Sequence, residues 1–238
     1  MSDARLNVMD ALVLCGGLGT RLRPVLSDRP KGLADVAGRA FLDILTDELV
    51  RNGLRRLILC AGHGAEQIAA HYRDRGDAEF VISAEDRPLG TGGAIAHALP
   101  QVRSDPFFVL NGDSFCRVSY ADLLVSHRRR GALLSVVVTP ATERADVGAL
   151  RIDSAERILE FAEKPGIVSG RSDYVNAGIY VIQSDAIALV GPAEVFSLER
   201  DLIPAAVDAG RCYAFPTSGP LIDIGTPDRL RVAQRQLR

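Results

Sequence analysis

Ala11-Leu-Val-Leu-Cys15-Gly-Gly-Leu-Gly-Thr20-Arg-Leu-Arg-Pro24 is an apolar run that breaks off into glycines and then into cations. Residues 11–15 read as a strand buried on both faces, the kind found in parallel sheets covered by helices. Glycines directly behind such a strand let backbone N–H groups approach a ligand closely. The dinucleotide fingerprint Gly-x-Gly-x-x-Gly fails, because Leu22 stands at the third glycine position. A P-loop is also excluded, since no Gly-Lys-Ser/Thr closes the stretch. Pro24 and Pro30 deny the loop a long helix immediately after it. By themselves the glycines fit a tight turn with solvated arginines as well as a binding loop. Arg21, Arg23, Pro30 and Lys31 add fixed turns and positive charge, a set able to wrap a triphosphate.

Outward from this loop the same rhythm repeats. Residues 57–61, 79–83, 107–110 and 133–139 read as further buried strands. Residues 41–51 place Phe41, Leu45 and Leu49 at four-residue steps, one face of a helix. Residues 65–72, 93–99 and 120–130 also read as helices. The expected fold is α/β, a Rossmann-like, mostly parallel sheet with helices on both faces. After residue 140 the strands shorten (149–152, 158–163, 178–183, 212–215), with helices at 197–209 and 227–236 and a last core strand at 220–224. This predicts a single domain over 1–238: a core of 1–139 and 220–238, with a smaller α+β lobe at 140–219.

Composition narrows the function. The 238 residues carry 28 Lys+Arg against 30 Asp+Glu, a net charge of −2, which argues against nucleic-acid binding. With 47% hydrophobic residues the chain can build a core without disulfide or metal staples. No apolar run approaches the roughly 20 residues of a membrane span, and the N-terminus does not read as a signal peptide, so a cytoplasmic protein with no membrane partner is expected. The four cysteines form no Cys-x-x-Cys pair, and they and the four histidines read as filler. Only two lysines, Lys31 and Lys164, stand among 26 arginines. A Lys in such a chain is the better candidate for a role that a planar guanidinium cannot fill.

Two carboxylates end apolar strands 110 residues apart, in Leu110-Asn-Gly-Asp113 and Leu221-Ile-Asp223-Ile-Gly-Thr. Ligands of open parallel sheets sit beyond the carboxyl ends of strands, and two carboxylates there could share one Mg²⁺. Taken alone, each Asp would better suit the capping of a turn.

The ordered run Gly16-Gly-Leu-Gly-Thr-Arg-Leu-Arg-Pro24, followed by Arg29-Pro-Lys31, resembles the signature of the sugar-1-phosphate nucleotidylyltransferases, Gly-Gly-x-Gly-Thr-Arg-Leu-x-Pro and then Pro-Lys. The resemblance extends over nearly the whole chain. It implies a Rossmann-like sheet with a sugar-binding lobe, and a reaction in which a sugar 1-phosphate and an NTP give a nucleotide sugar and pyrophosphate. It implies catalytic roles for Arg21 and Lys31 and Mg²⁺ ligation by Asp113 and Asp223. Leu14, Gly16, Gly17, Gly19 and Thr20 would bind nucleotide, as would Glu85, Gly90 and Thr91 of Glu85-Asp-Arg-Pro-Leu-Gly-Thr-Gly-Gly. Glu163-Lys164-Pro165, Asn176 of Val175-Asn-Ala-Gly-Ile-Tyr and Gly148 of Asp146-Val-Gly would bind the sugar phosphate; Val147 departs from the aromatic residue that many members carry. Uridylyl- and thymidylyltransferases of the family commonly carry Gln at the position of Glu85. An acceptor-only carboxylate suits the two adjacent donors of guanine, so Glu85 points to GTP, with Asp86 as an alternative acceptor. D-glycero-D-manno-heptose 1-phosphate is the expected partner substrate, with mannose 1-phosphate, or a short uridylyltransferase, as alternatives. A regulatory, inactive relative would usually have lost the Lys or a metal Asp, and both are kept here. The sequence leaves the oligomeric state open, a homodimer included.

Overall fold

The computed structural model describes residues 5–17, 19–26, 29–141, 148–162 and 174–237. The chain runs β1 (Asp10–Leu14), the short α1 (Arg23–Leu26), a hairpin of β2 (Asp35–Val36) and β3 (Arg39–Ala40), α2 (Phe41–Arg51), β4 (Arg56–Ala61) and α3 (Ala65–Tyr72). Then come β5 (Glu79–Ala84), α4 (Gly90–Ala98), β6 (Phe107–Asn111), β7 (Ser114–Phe115) and α5 (Tyr120–Arg130). It continues through β8 (Leu134–Pro140), β9 (Ala149–Ile152), β10 (Ile158–Ala162) and β11 (Tyr174–Ile182). A π-helical turn at Leu198–Leu202 leads into α6 (Ile203–Asp208), followed by β12 (Cys212–Pro216), β13 (Ile222–Asp223) and α7 (Pro227–Gln236).

Nine strands form one sheet. β5, β4, β1 and β6 lie side by side in parallel, as the buried apolar runs require. β11 then returns antiparallel to β6 and brings β8, β9, β10 and β12 with it, so the sheet is mixed beyond β6. Alternate residues serve two cores. Ala11, Val13, Leu57 and Leu59 pack with Phe41, Leu45 and Leu49 of α2 and with residues of α3, α5 and α7. Leu12, Ile58 and Cys60 pack on the other face with Ala94, Ile95 and Ala98 of α4 and with Ile203 and Ala206 of α6. Phe41, Leu45 and Leu49 are buried to 1% exposure or less, each worth about 1.5–3 kcal/mol of transfer free energy. The expected α/β architecture, with helices on both faces, is the one observed.

Three local expectations need correction. The strand expected at 220–224 is only Ile222–Asp223, and it pairs with β7 in a separate ladder instead of joining the sheet. Both edges of β6 are already taken, by β1 and β11. The helix expected from 197 begins as a wide turn in which Asp201 N and Leu202 N both donate to Ser197 O, ahead of Pro204, which has no N–H to give. α4 begins three residues before the expected start, within a run of glycines that pack against residues 194–198.

Candidate active site

A cleft of about 880 Å³ opens at the carboxyl ends of β1, β4, β5 and β6. Its floor depends on backbone contacts that only glycine permits. A Cβ on Gly16 would lie 2.7 Å from Gly62 N, and one on Gly112 would lie 2.8 Å from Leu14 O. The loop after β1 therefore touches the turns after β4 and β6 directly, and Gly112 N donates to Leu14 O at 2.9 Å. Gly19 takes φ +57° above the stem of Lys31, and Leu22, fully buried, anchors the loop. Leu14, Gly16, Gly17, Gly19, Thr20 and Arg21 all line the cleft.

Lys31 Nζ donates to Asp113 Oδ2 at 2.5 Å, its side chain 13% exposed. Asp113 sits in the turn between β6 and β7. The β7–β13 ladder sets Asp223 opposite Ser114, and Ile224 N donates to Asp113 O at 3.0 Å. This short ladder closes the 110-residue gap between the two carboxylates. Asp223 Oδ1 accepts from Gly225 N at 2.9 Å and from Arg229 Nη1 at 3.3 Å. Among the described residues no group of three or more His, Cys, Asp or Glu could hold a metal by itself. Two carboxylates do suit Mg²⁺, which completes its shell with phosphate oxygens and water.

Glu85 follows β5 and is fixed at both ends: its N–H donates to Ala61 O at 2.9 Å, and its Oε2 accepts from Leu89 N at 3.0 Å. Its Oε1 faces Gly16, 3.4 Å from where a Cβ there would stand. Gly90 and Thr91 also line the cleft. Thr91 Oγ1 donates to Glu199 Oε2 at 2.7 Å and accepts from Leu198 N at 2.8 Å. Gly92 N and Gly93 N both donate to Phe196 O, so these first-turn donors of α4 serve the fold and not the cleft.

On the opposite side, Gly148 O accepts from Asn176 N at 2.9 Å, and both residues line the cleft. The Asn176 amide is committed locally: its Nδ2 donates to Tyr180 OH at 2.7 Å, and its Oδ1 accepts from Gly178 N at 2.9 Å. This turn occupies an irregularity in the β11–β8 register, where Gly178 takes φ +74° and packs against Ser114 and Asn111. Glu163, Lys164 and the Asp146-Val147 half of the preceding turn lie outside the described residues.

Among the residues that line the cleft without having been singled out as site residues from the sequence are His63, Glu199 and Arg229. Glu199 belongs to the run Phe196-Ser-Leu-Glu-Arg-Asp201, which the family resemblance covers without giving Glu199 a role. Arg229 follows Asp223 by six residues, and nothing in local pattern distinguishes it from the other surface arginines. Cys15 and Cys60 border the cleft but are buried, and burial pushes the Cys15 thiol up to about 12, far from a nucleophile's range.

The sequence profile of the family described as Nucleotidyl transferase matches residues 10–238. Over 231 residues the chain is 31% identical to the D-glycero-alpha-D-manno-heptose 1-phosphate guanylyltransferase of Aneurinibacillus thermoaerophilus, covering 97% of this chain and 99% of that protein. It is 34% identical over 223 residues to the mannose-1-phosphate guanylyltransferase catalytic subunit beta of Drosophila pseudoobscura pseudoobscura, covering 91% of this chain and 59% of that one. The chain thus spans 59–62% of the length of several mannose-1-phosphate enzymes that it matches. Among solved structures, HddC from Yersinia pseudotuberculosis complexed with GMP-PN superposes with a TM-score of 0.82 at 30% identity, covering 97% of this chain and 100% of that one.

Proposed function

Because the chain belongs to the nucleotidyl transferase family, we propose that it transfers GMP from GTP to a sugar 1-phosphate, releasing pyrophosphate and forming a nucleotide sugar for surface polysaccharide. The observation that carries this reading is the convergence of Lys31, Asp113 and Asp223 in one cleft with the glycine loop and Glu85. An oxygen of the sugar 1-phosphate attacks the α-phosphorus of GTP, the bond to the bridging β-phosphate oxygen breaks, and pyrophosphate leaves in line. The attacking group is already an anion, so no protein nucleophile is needed. The task is to bring two polyanions together, by positioning and charge neutralisation.

Arg21 and Lys31 stabilise the α-phosphate and the departing pyrophosphate. Asp113 and Asp223 would hold Mg²⁺, which when bound neutralises phosphate oxygens. Residues 14–20 cradle the triphosphate through backbone N–H groups. The Glu85 carboxylate, held by Leu89 N–H, keeps acceptor capacity for the N1–H and N2 amine of guanine. Lys164 takes the phosphate of the sugar 1-phosphate and Glu163 its hydroxyls, with Gly148 and Asn176 lining the sugar site; the nucleotide side lies in 1–139 and 220–238 and the sugar side in 140–219. Asn176 acts there by shaping the bulge, since its amide is engaged within the protein. No described helix is long and apolar enough to cross a membrane, and the reaction is assigned to the cytoplasm, where GTP is available.

The sugar is D-glycero-D-manno-heptose 1-phosphate on this reading, supported by the Aneurinibacillus relative that the chain matches end to end. Mannose 1-phosphate is the second reading, supported by the mannose-1-phosphate relatives. The deciding experiment is pyrophosphate release with Mg²⁺ across four NTPs and a panel of heptose, mannose and N-acetylated sugar 1-phosphates. Release with GTP and one manno-configured sugar supports the reading, release with UTP overturns the role of Glu85, and silence throughout overturns the activity.

A further inference from the structure

Arg229 stands in the first turn of α7, behind the capping residue Thr226. The positive end of a helix dipole disfavours a cation in that turn and favours an anion beside it. Asp228, in the same turn, faces Arg231 at 3.0 Å. Arg229 lines the cleft, and its Nη1 lies 3.3 Å from Asp223 Oδ1. A Cβ on Gly225 would lie 3.6 Å from Arg229 Nη1 and 3.8 Å from Arg21 Nη2. Two guanidinium groups, one from the glycine loop and one from α7, thus flank a single spot whose nearest atom is Asp223 Oδ1 at 3.0 Å, and the missing side chain at 225 leaves that spot open beside the carboxylate.

We propose that Arg229 is an anion-binding residue of the cleft, which takes a phosphate oxygen of the reacting substrates together with Arg21. The inference rests on the nucleotidyl-transfer reading and adds a residue to it. A guanidinium offers several donors in a fixed planar fork, so Arg229 can keep one contact to Asp223 and direct others at phosphate. Asp223 also prevents an uncompensated cluster of positive charge when no substrate is bound. The phosphate is that of the pyrophosphate leaving group or that of the sugar 1-phosphate, the same chemistry from two sources.

The test uses the full chain with Arg229→Ala, Arg229→Gln and Arg229→Lys. Calorimetric binding of inorganic pyrophosphate in the presence of Mg²⁺ requires no turnover, and the KM for the sugar 1-phosphate reads the other source. Arg229→Ala should weaken one of the two by roughly tenfold or more, as expected for a lost charge-assisted hydrogen bond, with Arg229→Lys recovering part. A change confined to pyrophosphate assigns the leaving group, and one confined to the sugar KM assigns the acceptor. If Ala and Gln leave both constants unchanged while the thermal midpoint holds or falls, Arg229 is only a structural partner of Asp223 and the proposal fails. If the wild type binds pyrophosphate but turns over no substrate pair, the activity reading falls while the Arg229 assignment is still decided by the binding arm.

Discussion

On the proposed reading, Lys31 and Glu85 carry chemistry that can be separated from folding. The Lys31 ammonium is a point charge held against Asp113. Lys31→Ala should lower kcat by about 10²–10³-fold, the usual effect of removing one transition-state charge stabiliser, while the thermal midpoint changes little; near-normal turnover would remove Lys31 from the mechanism. Glu85→Gln keeps an oxygen for Leu89 N–H and converts the other acceptor into a donor. The kcat/KM ratio of GTP to UTP should fall at least roughly tenfold, and an unchanged ratio would place base selection elsewhere. The glycine loop was legible in the sequence because its glycines answer to steric needs that pattern preserves. Glu199 and Arg229 were less so, because what they do depends on partners that the fold brings in from distant segments, such as Glu199 reaching Thr91 across 108 residues.

At the scale of elements, α4 shows tertiary contact overriding propensity. Gly90, Gly92 and Gly93 would lower any estimate of a helix at that point. The structure needs them because a Cβ on Gly92 would lie 2.3 Å from the Phe196 ring, and one on Gly93 would lie 2.5 Å from Glu194 O. Gly92→Ala should therefore cost about 1–3 kcal/mol in urea denaturation, with Phe196→Leu recovering part in the double variant; a neutral single variant would mean that the 194–198 segment yields easily. The strands of the parallel half were readable from apolar runs alone. β13 was misplaced because two residues carry no periodicity, and only the occupied edges of β6 determine where they pair.

The whole molecule is a sheet sealed on both faces, and one buried ionisable group ties its stability to pH. His127 is 1% exposed, with Nδ1 2.9 Å from Ser135 Oγ and no partner for Nε2 among the described residues. Burial, reinforced by Arg128, lowers its pKa to about 4. The unfolded chain takes up this proton near pH 6.5 and the folded chain only near pH 4, so the imidazole's contribution is complete above pH 6.5 and is lost as pH falls towards 4. The loss is of order 3 kcal/mol. Urea midpoints at pH 7.5 and 5 should differ in the native chain and converge in His127→Gln. Equal slopes in both would assign the acid sensitivity to other groups.

The ladder between β7 and β13 has a consequence for synthesis. Every pairing of the nine-stranded sheet is made by residues up to Pro216, whereas Asp223 and Arg229 come later. The ribosome delivers the second carboxylate and its guanidinium after every strand of that sheet. A nascent chain can therefore complete its sheet pairings before Asp223 and Arg229 take their places in the cleft.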